Sequence, residues 1–138
     1  MKYLAIDYGQ KRTGLALCDP DETICSPLAV LETNKNLISQ ILKTIETEKI
    51  EAVVVGLPLN MDGTKGPQAK TTENFTDQLK KQLDIPLHFC DERLSSFAAR
   101  EKFAAAEIKG SKKKKPLDAV AAAEILQSFL DSKKHNGK

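Results

Sequence analysis

The segment AVVVG at residues 52–56 most limits what this chain can become. Its apolar run is mostly β-branched and has no polar face, so a strand formed there must be covered on both sides. Such strands sit centrally in sheets that carry helices on both faces. The flanking sequence supplies those helices. Leu37, Ile38, Ile41, Leu42 and Ile45 recur at helical spacing behind Asn34 or Asn36, either of which can cap the helix. A second helix is expected from Gln68 to Leu83. A third is expected from Ser95 to Glu107, with Ser95 or Ser96 as its cap. Pro116 suits the first turn of a last helix running to about Leu130, after which the tail DSKKHNGK should fray.

The remaining apolar runs read as strands. Lys2 to Asp7 and Leu15 to Cys18 flank the polar turn GQKRTG, bracketed by Gly9 and Gly14, and read as a hairpin. Ile24 to Leu31 follows as a third strand, and Pro27 places it at a sheet edge. Ile85 to Cys90 is the last strand. Three antiparallel-style strands followed by alternating helix and strand imply an α/β fold with a mixed sheet, in one domain of 138 residues.

Composition excludes several classes. Hydrophobic residues make up 41% and charged residues 29%, as in an ordinary soluble domain. No apolar stretch reaches membrane-spanning length, and the first residues lack the pattern of a signal peptide. Cys18, Cys25 and Cys90 are odd in number and lack metal-ligand spacing, so they read as reduced thiols of a cytoplasmic protein. Net charge is only +2 but uneven. From Lys109 onward eight lysines face three acids, a balance of +5, while the rest carries 13 basic and 16 acidic residues, or −3. A basic end on a mildly acidic body points to local contact with a polyanion.

Three carboxylate positions stand at element edges. Asp7 ends the first strand and meets a glycine-bearing turn, where it can bind a hard cation or cap the turn through its own backbone. Asp91 and Glu92 follow the last strand, with Arg93 beside them. Either acid could face a cleft near Asp7, or the pair could form a local salt bridge. Asp118 lies in the first turn of the last helix, where the helix dipole alone favours an acid. Ala119, Ala121, Ala122 and Ala123 would let that helix pack close to the sheet. Lys112, Lys113, Lys114 and Lys115 form a basic block before Asp118 and suit phosphate contact or a solvated face. Lys11 and Arg12, in the turn after Asp7, could serve the same edge. The loop with Asn60, Asp62, Gly63 and Gly66 is long for a strand-to-helix connection, as functional loops often are. His88 within a strand and His135 in the tail are poor candidates for catalysis.

Four motifs in order resemble the YqgF family, also called RuvX or Holliday-junction-resolvase-like proteins, over nearly the whole chain from Tyr3 to Leu130. AIDYGQKRTGLALCD resembles the family's opening Asp-x-Gly hairpin. GLPLNMDGTKGPQA resembles its long glycine-rich loop, FCDERLSS its acid pair, and KKKKPLDAVAAAEILQSFL its lysine loop and final helix. Thr13 stands where an aliphatic residue is common and Cys18 where serine is common.

The resemblance implies a ribonuclease H-like fold: a five-stranded mixed sheet of order 3-2-1-4-5 with strand 2 antiparallel. It implies that Asp7, Glu92 and Asp118 converge as ligands of Mg2+ or Mn2+, with Asp91 as the alternative to Glu92. It implies a nuclease that matures the 5′ end of precursor 16S ribosomal RNA, or else a Holliday junction resolvase acting on branched DNA. In a two-metal reaction one ion would activate water and the other would stabilise the leaving oxygen. Lys11, Arg12 and the lysine block would hold backbone phosphates without reading bases. Paired cuts in a junction would need a homodimer; single cuts would not. Two other classes compete. Asp-x-Gly hairpins also open actin-like and sugar-kinase folds, but those need a second domain for which this chain has no room. A non-catalytic RNA-binding assembly factor would show no metal-dependent cleavage.

Overall fold

The computed structural model describes residues 1–94 and 117–136. The expected third helix, the lysine block and Pro116 lie outside the described residues.

The strands are β1 (Tyr3–Asp7), β2 (Arg12–Cys18), β3 (Cys25–Glu32), β4 (Ala52–Leu57) and β5 (Leu87–Asp91). They form one sheet of order β3-β2-β1-β4-β5. β2 runs antiparallel to β1 and β3, whereas β1, β4 and β5 are mutually parallel. This is the order and sense that the family resemblance implied. β3 is the edge strand that Pro27 indicated, and a register shift between Leu15 and Ala16 accompanies its pairing with β2.

The AVVVG segment behaves as its composition requires. Ala52 to Val55 are fully buried, and their side chains divide between two cores. Ala52 and Val54 join Tyr3, Ala5 and Ala16 beneath the final described helix, α3 (Leu117–Asn136). Val53 and Val55 join Leu4, Ile6 and Leu15 beneath α1 (Leu37–Glu48) and α2 (Pro67–Lys80). Alternation along each strand thus feeds a different helix layer on each face. Among the described residues, no helix is long and apolar enough to cross a membrane.

Local details refine the expectations. Asn36 occupies the α1 N-cap position without a side-chain cap bond, while the Asn34 Oδ1 accepts the Asn36 backbone N–H at 2.9 Å. α2 begins at Pro67, one residue earlier than expected, and ends at Lys80. α3 does not stop near Leu130; the residues expected to fray are helical through Asn136. Lys133 accounts for much of the difference. Its ammonium donates to the Tyr3 hydroxyl and to Glu22 Oε1, each at 2.9 Å. Glu22 also accepts from the N-terminal amine at 3.1 Å. A cation near a helix C-terminus is favoured by the dipole, and here it also staples the helix to the β2–β3 turn. Thr13 is fully buried, and its hydroxyl is satisfied by Thr33 Oγ1 at 2.8 Å. Cys18 Sγ accepts the Tyr3 backbone N–H at 3.3 Å.

Candidate active site

Parallel strands bring their C-terminal ends to one edge, and in open α/β sheets ligands bind outside that edge. Asp7 closes β1 there. Glu92 begins a 3-10 turn (Glu92–Leu94) directly after β5. Strand β4 lies between the two, so their side chains must reach across its end. Gly56 makes room for one of them: a Cβ at this position would lie 2.9 Å from Glu92 Oε2 and 2.6 Å from Ile125 Cδ1.

Asp7 and Glu92 line the same pocket, a cavity of about 140 Å³. The polar remainder of its lining is neutral, formed by Gln10 of the hairpin turn and by Gln68, Thr71 and Thr72 of α2. Among the described residues, the lining contains no thiol or imidazole. Two carboxylates with amide and hydroxyl oxygens nearby make a hard-oxygen donor set, which fits Mg2+ or Mn2+ in preference to softer ions.

Asp118 is placed differently. The α3 N-terminus rests on β2 at Gly14, where an added Cβ would overlap the Asp118 carbonyl. Gly14 is the register partner of Asp7. The Asp118 backbone is therefore one strand away from Asp7, but its carboxylate accepts from Arg12 Nε at 3.1 Å. Among the described residues, no group of three or more acidic, His or Cys side chains is arranged to hold a metal ion. The structure thus brings Asp7 and Glu92 together and holds the Asp118 carboxylate on Arg12. Arg12 is 68% exposed. Such a surface pair contributes at most about 1 kcal/mol, so exchange of Arg12 for another cation costs little.

Asp91 and Glu92 are distinguished by their partners. Asp91 accepts from Arg93 through Nε and Nη2, the latter at 2.7 Å, and from the Arg93 backbone N–H at 2.9 Å. The Arg93 side-chain bond is the main cause that holds the Asp91 carboxyl below the usual carboxylate range. Arg93 also donates to the Met61 carbonyl at 3.1 Å and packs over Gly63, whose φ is +88°. Asp91 therefore works through Arg93 to fix the β4–α2 loop. That loop is ordered internally as well: Asp62 Oδ1 accepts from the Thr64 backbone and hydroxyl at 3.0 and 2.6 Å. Hydrogen bonding from Thr64 lowers the Asp62 pKa.

Lys11 is exposed on the hairpin turn, as expected, beside Arg12. His88 lies away from the pocket, its ring 5.4 Å from that of Phe129 and 6.4 Å from that of Tyr3. The α2 side of the pocket was not among the residues expected from the sequence. Gln68, Thr71 and Thr72 are spaced three and four residues apart, which puts them on one side of the helix. That spacing, directly after the glycine-rich loop, was the available signal.

The chain matches the family described as "RuvX: Holliday junction resolvase" over residues 1–132. A protein of Maridesulfovibrio salexigens named "Putative pre-16S rRNA nuclease" is 42% identical over 132 residues, covering 94% of this chain and 98% of its own. A protein of the same name from Roseiflexus sp. is 40% identical over 135 residues, covering 96% of each. Among solved structures, Thermus thermophilus RuvC bound to a Holliday junction aligns with a TM-score of 0.70 at 16% identity, over 99% of this chain and 97% of that one. The fowlpox virus Holliday junction resolvase aligns with a TM-score of 0.56 at 15% identity, over 96% and 99%. At these identities the likeness concerns the fold, which is ribonuclease H-like. With a family match over nearly its whole length and relatives near 40% identity, the chain belongs to the RuvX family.

Proposed function

We propose that this protein is a metal-dependent nuclease that hydrolyses phosphodiester bonds in the 5′-end maturation of precursor 16S ribosomal RNA in the cytoplasm. The observation that carries this reading is the pocket shared by Asp7 and Glu92 at the C-terminal edge of the sheet. The names of the relatives support the RNA substrate.

Asp7, Glu92 and Asp118 are the residues that would hold Mg2+ or Mn2+, as a pair of ions in the two-metal form. Such ions supply an activated water and charge stabilisation at the leaving oxygen. The chain's own residues do the rest. Two carboxylates in one pocket, Asp7 and Glu92, would repel a bare phosphate, so productive binding would depend on a bound cation. Arg12 occupies Asp118 at rest and would turn to a backbone phosphate when the strand arrives. Lys11, Lys112, Lys113, Lys114 and Lys115 add phosphate contacts that fix position without reading sequence. Gln68 and Thr71 bring neutral polar groups to the same pocket and would orient the sugar-phosphate chain.

The test is side-by-side cleavage of precursor 16S RNA and a four-way DNA junction, with Mg2+ or Mn2+ and with excess EDTA. Cleavage of the RNA at its 5′ side is expected, arrested by EDTA and by Asp7→Asn in a protein that melts normally. Preference for the junction would overturn the ribosomal RNA assignment in favour of branched DNA. Robust hydrolysis in EDTA would overturn the metal-dependent reading.

A further inference from the structure

A second cleft of about 230 Å³ adjoins the acid pocket and shares Tyr8 and Thr71 with it. We propose that this cleft is a nucleobase subsite, which takes an unpaired base of the substrate strand next to the cut. The inference rests on the nuclease reading above and extends it to the form of the substrate: single-stranded RNA on this side of the scissile bond.

The lining chemistry fits a base better than a phosphate. The apolar part comes from the half-buried Tyr8 and Ile38, backed by the buried Phe75 and Leu37. Tyr8 and Phe75 stack at 4.3 Å with an interplanar angle of 15°, which makes a rigid aromatic unit. The polar part is Asn34, Asn74 and Gln78, whose amides can both donate and accept. Among the described residues, Lys35 is the one cation in the lining, which holds no acid. Unpaired RNA bases are recognised by this combination, an aromatic platform with amide groups along the base edge. A phosphate pocket would call for several cations.

The cleft is also organised before any ligand arrives. Asn34 Oδ1 is engaged by the Asn36 backbone N–H, which fixes the side chain. The preceding residue, Thr33, donates its hydroxyl to the Gly9 carbonyl at 2.7 Å and its backbone N–H to the Lys11 carbonyl at 2.9 Å. The start of α1 is thereby tied to the turn that carries Tyr8. On the other side, Gln68, Thr71, Asn74 and Gln78 follow one another at three- and four-residue steps along α2. They form a single polar stripe about 15 Å long, from the acid pocket to the far end of the second cleft. A stripe of that length suits an extended strand better than a compact ligand.

The test measures binding, so that it does not depend on cleavage. Full-length Asp7→Asn protein is titrated with a short single-stranded RNA spanning the 5′ end of precursor 16S RNA, and with the same RNA made abasic at each nucleotide in turn. Removal of one base near the cut should weaken binding about tenfold. In the added double variant Asn74→Leu, Gln78→Leu, intact RNA should bind more weakly, and the abasic penalty at that position should shrink to the part that stacking on Tyr8 supplies. Both residues are exposed, so the fold should persist, and melting checks this. Gln78→Glu, which keeps size but removes the donor, is the second variant and should lose part of the discrimination. An abasic scan that is flat, or equal in both proteins, overturns the subsite even if the wild-type protein cleaves RNA. A base-dependent scan in a protein that cleaves nothing supports the subsite and removes the nuclease reading instead.

Discussion

The backbone carbonyl of Asp118 occupies the place where a side chain on Gly14 would begin. Gly14 pairs in register with Asp7, so this contact sets how near the final helix comes to the acid pocket. The glycine is required by close approach, not by backbone conformation, since its φ is not positive.

Gly14→Ala should therefore push the start of α3 away from β2. Overpacking of this kind costs about 1–3 kcal/mol, enough to lower the melting temperature by several degrees. Activity should fall as well, because Asp118 moves with the helix. Thermal melting with a cleavage assay checks both effects. Unchanged melting would mean that the helix does not rest on Gly14.

The acids after β5 should separate cleanly on mutation. Glu92 lines the pocket, while Asp91 is engaged by Arg93. Loss of a partner behind a metal ligand typically costs 10–100-fold in affinity or activity, so loss of a ligand itself should cost at least about a hundredfold. Glu92→Gln is expected to show that loss with normal melting. Asp91→Asn should retain more activity but loosen the Arg93–Met61 contact, which limited proteolysis of the 57–66 loop would detect. The opposite pattern would exchange their roles.

Much of this architecture could be read from the chain because β-branched runs and helical spacing are local signals. AVVVG announced a doubly covered strand, and Pro27 announced an edge. What escaped depends on residues far apart in sequence. Arg12 meets Asp118 across 106 positions, and Lys133 meets Tyr3 across 130. The first keeps a candidate ligand on a cation; the second extends a helix whose tail composition suggested fraying. The convergence of Asp7 and Glu92 needed the glycine at position 56, whose value lies in the side chain it lacks. The division of labour between Asp91 and Glu92 needed the position of Arg93 over the loop.

Burial should make alkaline pH destabilising. It pushes the Cys25 thiol up to about 12 and the Cys90 thiol up to about 11, from an ordinary value of 9.0. In the unfolded chain these thiols lose their protons first. Their contribution is therefore full below pH 9 and is lost as pH rises toward the folded values. Urea midpoints should fall as pH rises above about 9 toward 11, and fall less in a Cys25→Ala, Cys90→Ala protein. Equal slopes in the two proteins would show that other groups govern the alkaline limb.

The lysine block offers the most quantitative test of where substrate lies. Changing Lys112, Lys113, Lys114 and Lys115 together to alanine should weaken RNA binding broadly, with little change in sequence preference, because phosphate contacts carry no base information. Each contact releases counterions, so each one lost should flatten the log–log dependence of affinity on salt by about 0.7 for a single strand or about 0.9 for a duplex. If two or three of the four touch phosphate, the variant's slope should be shallower by roughly 1.5 to 3. Arg12→Ala supplies a reference for one contact, with a change near 0.7 to 0.9. Because its ion pair is exposed, that variant should melt within about 1 kcal/mol of the parent protein. Affinities measured over a salt series, with melting as the control, separate electrostatic contact from loss of fold. An unchanged slope in a normally melting quadruple variant would make the run a solvated face and remove the reason for leading the strand past Asp118.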